Sequence, residues 1–99
     1  MDTTDSSAET GNGPEGSDDA EAKRVDKVLG LELRAQRVRR GLSQEKLAEL
    51  IGMNKKTVGR LESGDRPITM QHMVKIYKAV GIMPSDLVKA LQDELGIEQ

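Results

Sequence analysis

The sequence predicts an all-α domain of five helices behind a disordered, acidic N-terminal tail. Apolar residues recur every three or four positions over residues 26–95, which is the spacing of one helix face. Tyr77 is the only aromatic residue, and no run of β-branched or aromatic residues indicates a strand. Four glycines interrupt the periodic pattern where short helices would end, namely Gly41, Gly52, Gly64 and Gly81.

The composition of the 99 residues excludes several classes of protein. Without Cys the chain forms no disulfide and no zinc–thiolate site. His72, the only histidine, builds no metal site alone and is expected on a helix surface. No apolar stretch is long enough for a membrane span, and the acidic N-terminus is unlike a signal peptide. We therefore expect a cytoplasmic domain without metal or cofactor, stabilised by apolar packing between helices.

Charge divides the chain into two parts. Seven of the 17 acidic residues and none of the 15 basic residues lie within residues 1–22, so residues 23–99 carry a net charge of +5. Residues 1–22 have almost no apolar surface to bury, which predicts a disordered tail before a folded domain over 23–99. The tail is either a solubilising extension or an anionic segment that transiently covers basic residues of the domain.

The first two helices are delimited by residues that favour helix ends. The first helix is predicted over about Asp26–Arg40, with Gly41 in the left-handed conformation after it. Ser43 offers a side-chain oxygen to the N-terminus of the second helix, which spans 44–51 and stops at Gly52. Both connections are therefore expected to be short.

Three further helices are predicted in the same way. Asn54 caps a third helix over Lys55–Ser63, and Thr69 caps a fourth that ends at Val80. A fifth helix over 84–95 begins with proline, whose missing N–H is not needed there. The apolar stripe of this fifth helix is Leu87, Val88, Leu91 and Leu95. The inward-facing residues predicted to form the core are Leu29, Leu33, Leu47, Ala48, Ile51, Met53, Val58, Leu61, Met70, Met73, Ile76, Val80 and Met83.

Residues 42–64 form the segment most indicative of function. Two short helices joined by Gly52-Met53-Asn54 leave one face of the second helix exposed. That face carries Lys55, Lys56, Gly59 and Arg60. A basic helix held at a fixed angle to its partner is suited to entering the major groove of DNA. The alternative is an ordinary solvated helix face.

Residues 33–87 resemble the helix-turn-helix domains of phage repressors and Cro proteins. The matching residues are Arg34, Arg37, Gly41-Leu42-Ser43-Gln44, Leu47-Ala48, Ile51-Gly52, Asn54 to Val58, Leu61-Glu62, Gly64 and Ala79 to Ile82. The resemblance implies a five-helix, lambda-repressor-like domain that binds double-stranded DNA in the major groove. It also implies a sequence-specific transcriptional regulator, most simply a repressor at an inverted-repeat operator.

The resemblance assigns roles to individual residues. Gln44 matches a position that contacts the DNA backbone. The positions that reach base edges are occupied by Lys55, Lys56 and Arg60. Further DNA contacts are implied for Ser43, Asn54, Thr57 and Ser63, and Arg39 is either solvated or a phosphate contact. Gly59 stands where relatives carry a polar side chain, so it either lets the helix approach the bases or marks a position without a contact.

Arg37 and Glu62 match a buried ion pair that joins the first helix to the third. An isolated carboxylate near the core would be unfavourable, and a bidentate arginine relieves that penalty. We therefore expect this pair to be structural.

Two questions about partners stay open at this stage. Domains of this kind usually bind DNA as homodimers, and the stripe Leu87, Leu91, Leu95 serves either the domain's own core or a dimer interface. The alternative function is an antitoxin that binds a toxin and regulates its own promoter. An enzyme is not expected, because the sequence has no phosphate-binding loop, metal cluster or Ser/Cys–His arrangement.

Overall fold

The computed structural model describes residues 15–96 and confirms the all-α architecture. Its five helices are α1 (Glu15–Arg39), α2 (Gln44–Leu50), α3 (Lys55–Ser63), α4 (Met70–Val80) and α5 (Pro84–Leu95). Helix α1 packs on α3 and α5, α2 packs on α3, and α4 packs on α5. No helix within the described range has the length and apolar character to cross a membrane.

Helix α1 begins earlier than the sequence predicts. It starts at Glu15 rather than near Asp26, so the predicted start of the first helix is wrong and residues 15–22 are helical. Ala20, Glu21 and Ala22 are good helix formers, and extending an existing helix needs no new nucleation. Residues 1–14, and with them most of the predicted disordered tail, lie outside the described residues.

The predicted caps of α2 and α3 are confirmed. Ser43 Oγ accepts a hydrogen bond from the Lys46 backbone N–H at 2.9 Å, and Asn54 Oδ1 accepts from the Thr57 N–H at 2.8 Å. Gly64 ends α3 with φ of +83°, a conformation that side chains with a Cβ rarely adopt. The two helices of the central segment therefore have fixed ends.

The core lies largely where the helical periodicity places it. Its buried apolar residues are Leu29, Leu33, Leu47, Ala48, Ile51, Val58, Leu61, Ile68, Met73, Ile76, Ile82 and Leu87. Met70 and Met83 were predicted inside and are exposed, whereas Ile68 and Ile82 are buried and were not among the predicted core residues. Met70 is the first residue of α4 and is 66% exposed, although Met73 and Ile76 further along the helix are buried.

Leu87 belongs to the core of its own domain. Its side chain is 1% exposed, so the interpretation of this residue as a dimer contact is wrong. Leu91 is half-buried against the same core, whereas Val88 is 46% exposed. Any apolar surface that α5 offers to a partner therefore includes Val88 and Leu91 but not Leu87.

Helix α1 crosses the last turn of α3 at Gly30. A Cβ added to Gly30 would lie 2.4 Å from the carbonyl oxygen of Leu61 and 2.5 Å from that of Glu62. Only glycine permits so close an approach of the two backbones. Leu33 and Arg37 follow at positions i+3 and i+7, so one face of α1 makes all three contacts.

His72 is buried at the start of α4, and its predicted surface position is wrong. Its Nδ1 accepts a hydrogen bond from the Thr69 N–H at 3.0 Å, and Thr69 Oγ1 accepts from the His72 N–H at 3.1 Å. This reciprocal arrangement is a capping box with His in the place of the usual Glu or Gln. Burial lowers the pKa of His72, and the positive charges of Arg66 and Lys75 lower it further.

Two glycines inside helices provide a matched pair of substitutions. Gly30→Ala places a Cβ against two backbone carbonyls, so the free energy of unfolding should fall by about 1–3 kcal/mol. Gly59→Ala meets only the Gln44 side chain, at 3.8 Å, and should stabilise by up to about 1 kcal/mol because alanine favours a helix. Urea unfolding measures both changes, and effects of the same sign would contradict the close crossing.

Protonation of His72 should weaken the fold at mildly acidic pH. Because the pKa of folded His72 lies below 6.5, the unfolded chain binds the proton more readily. The stabilisation is fully present above pH 6.5 and is lost as pH falls through the folded-state pKa. His72→Gln keeps an acceptor for the Thr69 N–H without titrating, and should remove this part of the pH dependence. Urea unfolding between about pH 7.5 and pH 5.5 tests this, and identical profiles for parent and variant would refute it.

Candidate nucleic-acid interface

Helices α2 and α3 form a rigid pair joined by a short turn. Leu47 and Ala48 of α2 are buried, as are Val58 and Leu61 of α3, and all four belong to one apolar cluster. Within the turn, the Met53 N–H donates to the Ala48 carbonyl at 2.8 Å. The angle between the two helices is therefore set by packing and by backbone hydrogen bonds.

The outward face of α3 carries three exposed cations, Lys55, Lys56 and Arg60. Among residues 19–96, whose side chains the structure describes, none makes an ion pair or a side-chain hydrogen bond with them. Thr57 and Gly59 are half-buried beside them. Three exposed cations on one side of a short helix provide a positive surface, the basic face, that is available to an anionic ligand.

The smaller polar residues of the predicted site have local structural roles. Ser43 and Asn54 use their side-chain oxygens as helix caps. Ser63 Oγ lies 3.2 Å from the Arg60 carbonyl and accepts from the Asp65 N–H at 3.4 Å. These three side chains therefore lie at the ends of α2 and α3, where hydrogen bonds to the backbone hold them in place.

Gln44 is held against the end of α3. It is the first residue of α2, and its Nε2 donates to Glu62 Oε1 at 3.0 Å. Its amide also lies over Gly59, with Oε1 3.8 Å from the position of an added Cβ. Gln44 and Gly59 are therefore neighbours in the fold. The sequence analysis did not predict this contact, because the two residues lie on different helices.

The predicted ion pair of Arg37 and Glu62 forms a buried, bidentate contact. Arg37 Nε donates to Glu62 Oε2 at 2.6 Å, and Nη2 donates to Oε1 at 3.1 Å. The third guanidinium nitrogen donates to the Leu42 carbonyl at 2.6 Å. Arg37 therefore fixes α1, the loop after it and the end of α3 at once.

Arg39, the last residue of α1, and Arg40, which follows it, are engaged away from the face of α3. Arg39 pairs with Glu32 at 3.2 Å on the same helix and stays 57% exposed at its side chain. Arg40 donates to the Val80 carbonyl at 3.1 Å and so caps the end of α4. Among the predicted DNA contacts, Arg39 is the one that the structure does not bring to α2 or α3.

Arg66 is a candidate that the sequence analysis did not single out. The backbone N–H groups of Asp65 and Arg66 both donate to the Arg60 carbonyl, which folds the loop over the end of α3. The Arg66 side chain is exposed directly after that turn. In the sequence Arg66 is one of many basic residues. The hydrogen bonds of the loop place it next to the C-terminal end of α3, beside the basic face.

Comparison with known proteins identifies the class to which this geometry belongs. The helix-turn-helix family model matches residues 33–87, more than half of the chain. The chain is therefore a member of the helix-turn-helix family, of the Cro and repressor type, and a DNA-binding transcriptional regulator.

The comparison with solved structures also finds relatives of this chain. Among them is the restriction-modification controller protein C.AhdI from Aeromonas hydrophila, with 38% sequence identity and a TM-score of 0.58. The match covers 62% of this chain and 92% of that chain. No curated protein sequence matches.

Removing Arg37 tests the buried ion pair. Arg37→Ala leaves the Glu62 carboxylate buried with Gln44 as its remaining partner, so we expect the free energy of unfolding to fall by about 3–5 kcal/mol. Arg34→Ala is the control, since Arg34 is an exposed arginine on the same helix. Urea unfolding of both measures the difference. A transition for Arg37→Ala that matches the parent would contradict the pair.

Proposed function

We propose that this chain is a repressor that recognises an inverted-repeat operator by placing α3 in the major groove. The observation that carries the proposal is the face of α3, where exposed Lys55, Lys56 and Arg60 lack partners among the side chains of residues 19–96. Cations held in this way can reach phosphates and the acceptor atoms of guanine. An α-helix fits the major groove, and α3 is fixed at both ends.

Specific roles follow from where each residue stands. Lys55, Lys56 and Arg60 would read base edges from the face of α3. Phosphate contacts would come from the residues at the helix ends and from the flanking arginine, namely Ser43, Gln44, Asn54, Thr57, Ser63 and Arg39. Gly59 would make no contact of its own, because the Gln44 amide covers it.

We further propose that the regulator binds as a homodimer through the outer side of α5. Val88 is exposed and Leu91 is half-buried, three residues apart on one side of the helix, and Leu95 continues the stripe. A pair of subunits related by a two-fold axis would place two α3 helices against successive major grooves. Each subunit would then contact one half-site.

A more particular role is favoured by the solved relative. The similar structure is of a restriction-modification controller protein, and 92% of that chain is matched here at 38% identity. We propose that control of a restriction–modification operon is the second candidate for the biological role of this regulator. The described residues offer no observation that favours the antitoxin alternative.

Selection of bound fragments from random DNA, followed by sequencing, tests the proposed function. We expect an inverted repeat with half-site centres about 34 Å apart, one turn of the double helix. If roughly 6–10 phosphates are neutralised per dimer, log K should fall against log[salt] with a slope of about −5 to −9. A lack of enrichment, or a slope near zero on the selected site, would contradict the proposal.

Single substitutions on the selected operator separate base contacts from phosphate contacts. Lys56→Ala or Arg60→Ala should weaken operator binding by about 1–3 kcal/mol and relax the preference at one base pair. Arg39→Ala, the control on α1, should weaken binding to operator and random DNA about equally. Affinity measurements on a panel of single-base operator variants distinguish the two patterns. Uniform losses for all three variants would show that the base-reading residues lie elsewhere.

A further inference from the structure

The Glu62 carboxylate accepts one hydrogen bond more than its ion pair requires. Arg37 occupies Oε2 through Nε, and shares Oε1 through Nη2 with the Gln44 amide. Glu62 is 5% exposed, so these bonds are shielded from water. The extra bond leads from a buried group to a half-exposed side chain at the edge of the basic face.

The chemistry of this contact fixes the orientation of the Gln44 amide. A carboxylate only accepts hydrogen bonds, so the amide nitrogen, and not its oxygen, faces Glu62. The second N–H and Oε1 are left over, and the amide lies across Gly59. Gly59 is one turn from both Lys55 and Ser63, which places the amide along that side of α3.

We propose that Glu62 is a positioning residue for DNA binding, which holds the Gln44 amide so that its free N–H donates to a backbone phosphate. The proposal rests on the function proposed above. Phosphate oxygens are acceptors, so the N–H that Glu62 leaves free is the group of this amide that can contact one. The amide lies beside Gly59, where an added Cβ would only reach ordinary van der Waals contact with it, at 3.8 Å from Oε1.

Arg37 makes this arrangement compatible with a nearby phosphate. An unpaired carboxylate one side chain away from the DNA backbone would repel it. Two guanidinium nitrogens bonded to Glu62 offset that charge while leaving Oε1 able to accept from Gln44. The buried pair therefore supports a DNA contact as well as joining helices, and the two roles can be separated by experiment.

The experiment is a cycle of variants measured on the selected operator. Gln44→Ala should weaken binding roughly 3- to 10-fold, the effect of one neutral hydrogen bond, with an unchanged salt slope because no cation is lost. Arg37→Met combined with Glu62→Met replaces the ion pair with apolar groups of similar size, a change that buried pairs often tolerate. This double variant should weaken binding by a similar factor, and adding Gln44→Ala to it should cause no further loss.

A purely structural role for Glu62 predicts different results. The folded double variant would then bind the operator with the parental affinity. Alternatively, adding Gln44→Ala to the double variant would weaken binding further, by the same factor as Gln44→Ala alone. Either result overturns the proposal. Urea unfolding of each variant confirms that folded protein is compared. Parental affinity for Gln44→Ala alone would also overturn it.

A measurement on the unsubstituted chain covers the case in which the double variant does not fold. The side-chain NH2 signals of Gln44, identified by their absence in Gln44→Ala, can be followed by NMR as operator is added. The proposal predicts that one of the two N–H signals shifts. If the backbone signals of α3 shift and these do not, the positioning role fails while DNA binding stands. If neither shifts, both proposals fail.

Discussion

One carboxylate connects the three helices that create the basic face. Glu62 lies on α3, receives Arg37 from α1 and receives Gln44 from α2, all within 2.6–3.1 Å. Taking the charges of Arg37 and Glu62 out of water is unfavourable, so such a pair contributes little net stability compared with apolar packing. Its contribution is to specify one arrangement of the helices, because any other arrangement would leave a buried charge without its partner.

The backbone crossing at Gly30 and the cap at Asn54 complete the support of α3. Gly30 allows α1 to lie directly on the last turn of α3, and Asn54 fixes the first turn. Two nearby acidic residues pair with cations outside α3, Glu32 with Arg39 and Glu49 with Lys46. The cations of α3 are left without such partners within the described range, so the positive field is concentrated where a major groove would meet the helix.

Local rules predicted the features that depend on local chemistry. The caps at Ser43 and Asn54 follow from side-chain oxygens at fixed offsets. The ion pair of Arg37 and Glu62 joins distant parts of the chain, and it was predicted from the family resemblance instead. The role of Gly30 could not be predicted in this way, because a glycine inside a helical pattern indicates only a weaker helix. Its contact lies on another helix, more than 30 residues along the chain.

Two other features show the same limit. His72 occupies the third position of a capping box, and a single polar residue on an amphipathic helix gives no sign of burial. The N-terminal part of α1 has few apolar residues, so composition indicated a tail, whereas these residues continue a helix that packing has already formed. In each case the deciding contribution comes from packing rather than from the local pattern.

We propose that the cations which the Glu62 network supports on α3 carry the binding of DNA. The most direct test compares two triple variants of equal net charge on the selected operator: Lys55→Gln, Lys56→Gln and Arg60→Gln, against Lys75→Gln, Lys78→Gln and Lys89→Gln at exposed positions of α4 and α5. We expect a loss of affinity of about 100-fold or more for the first set and only a small general loss for the second. Equal losses for the two sets would contradict this role of the α3 cations.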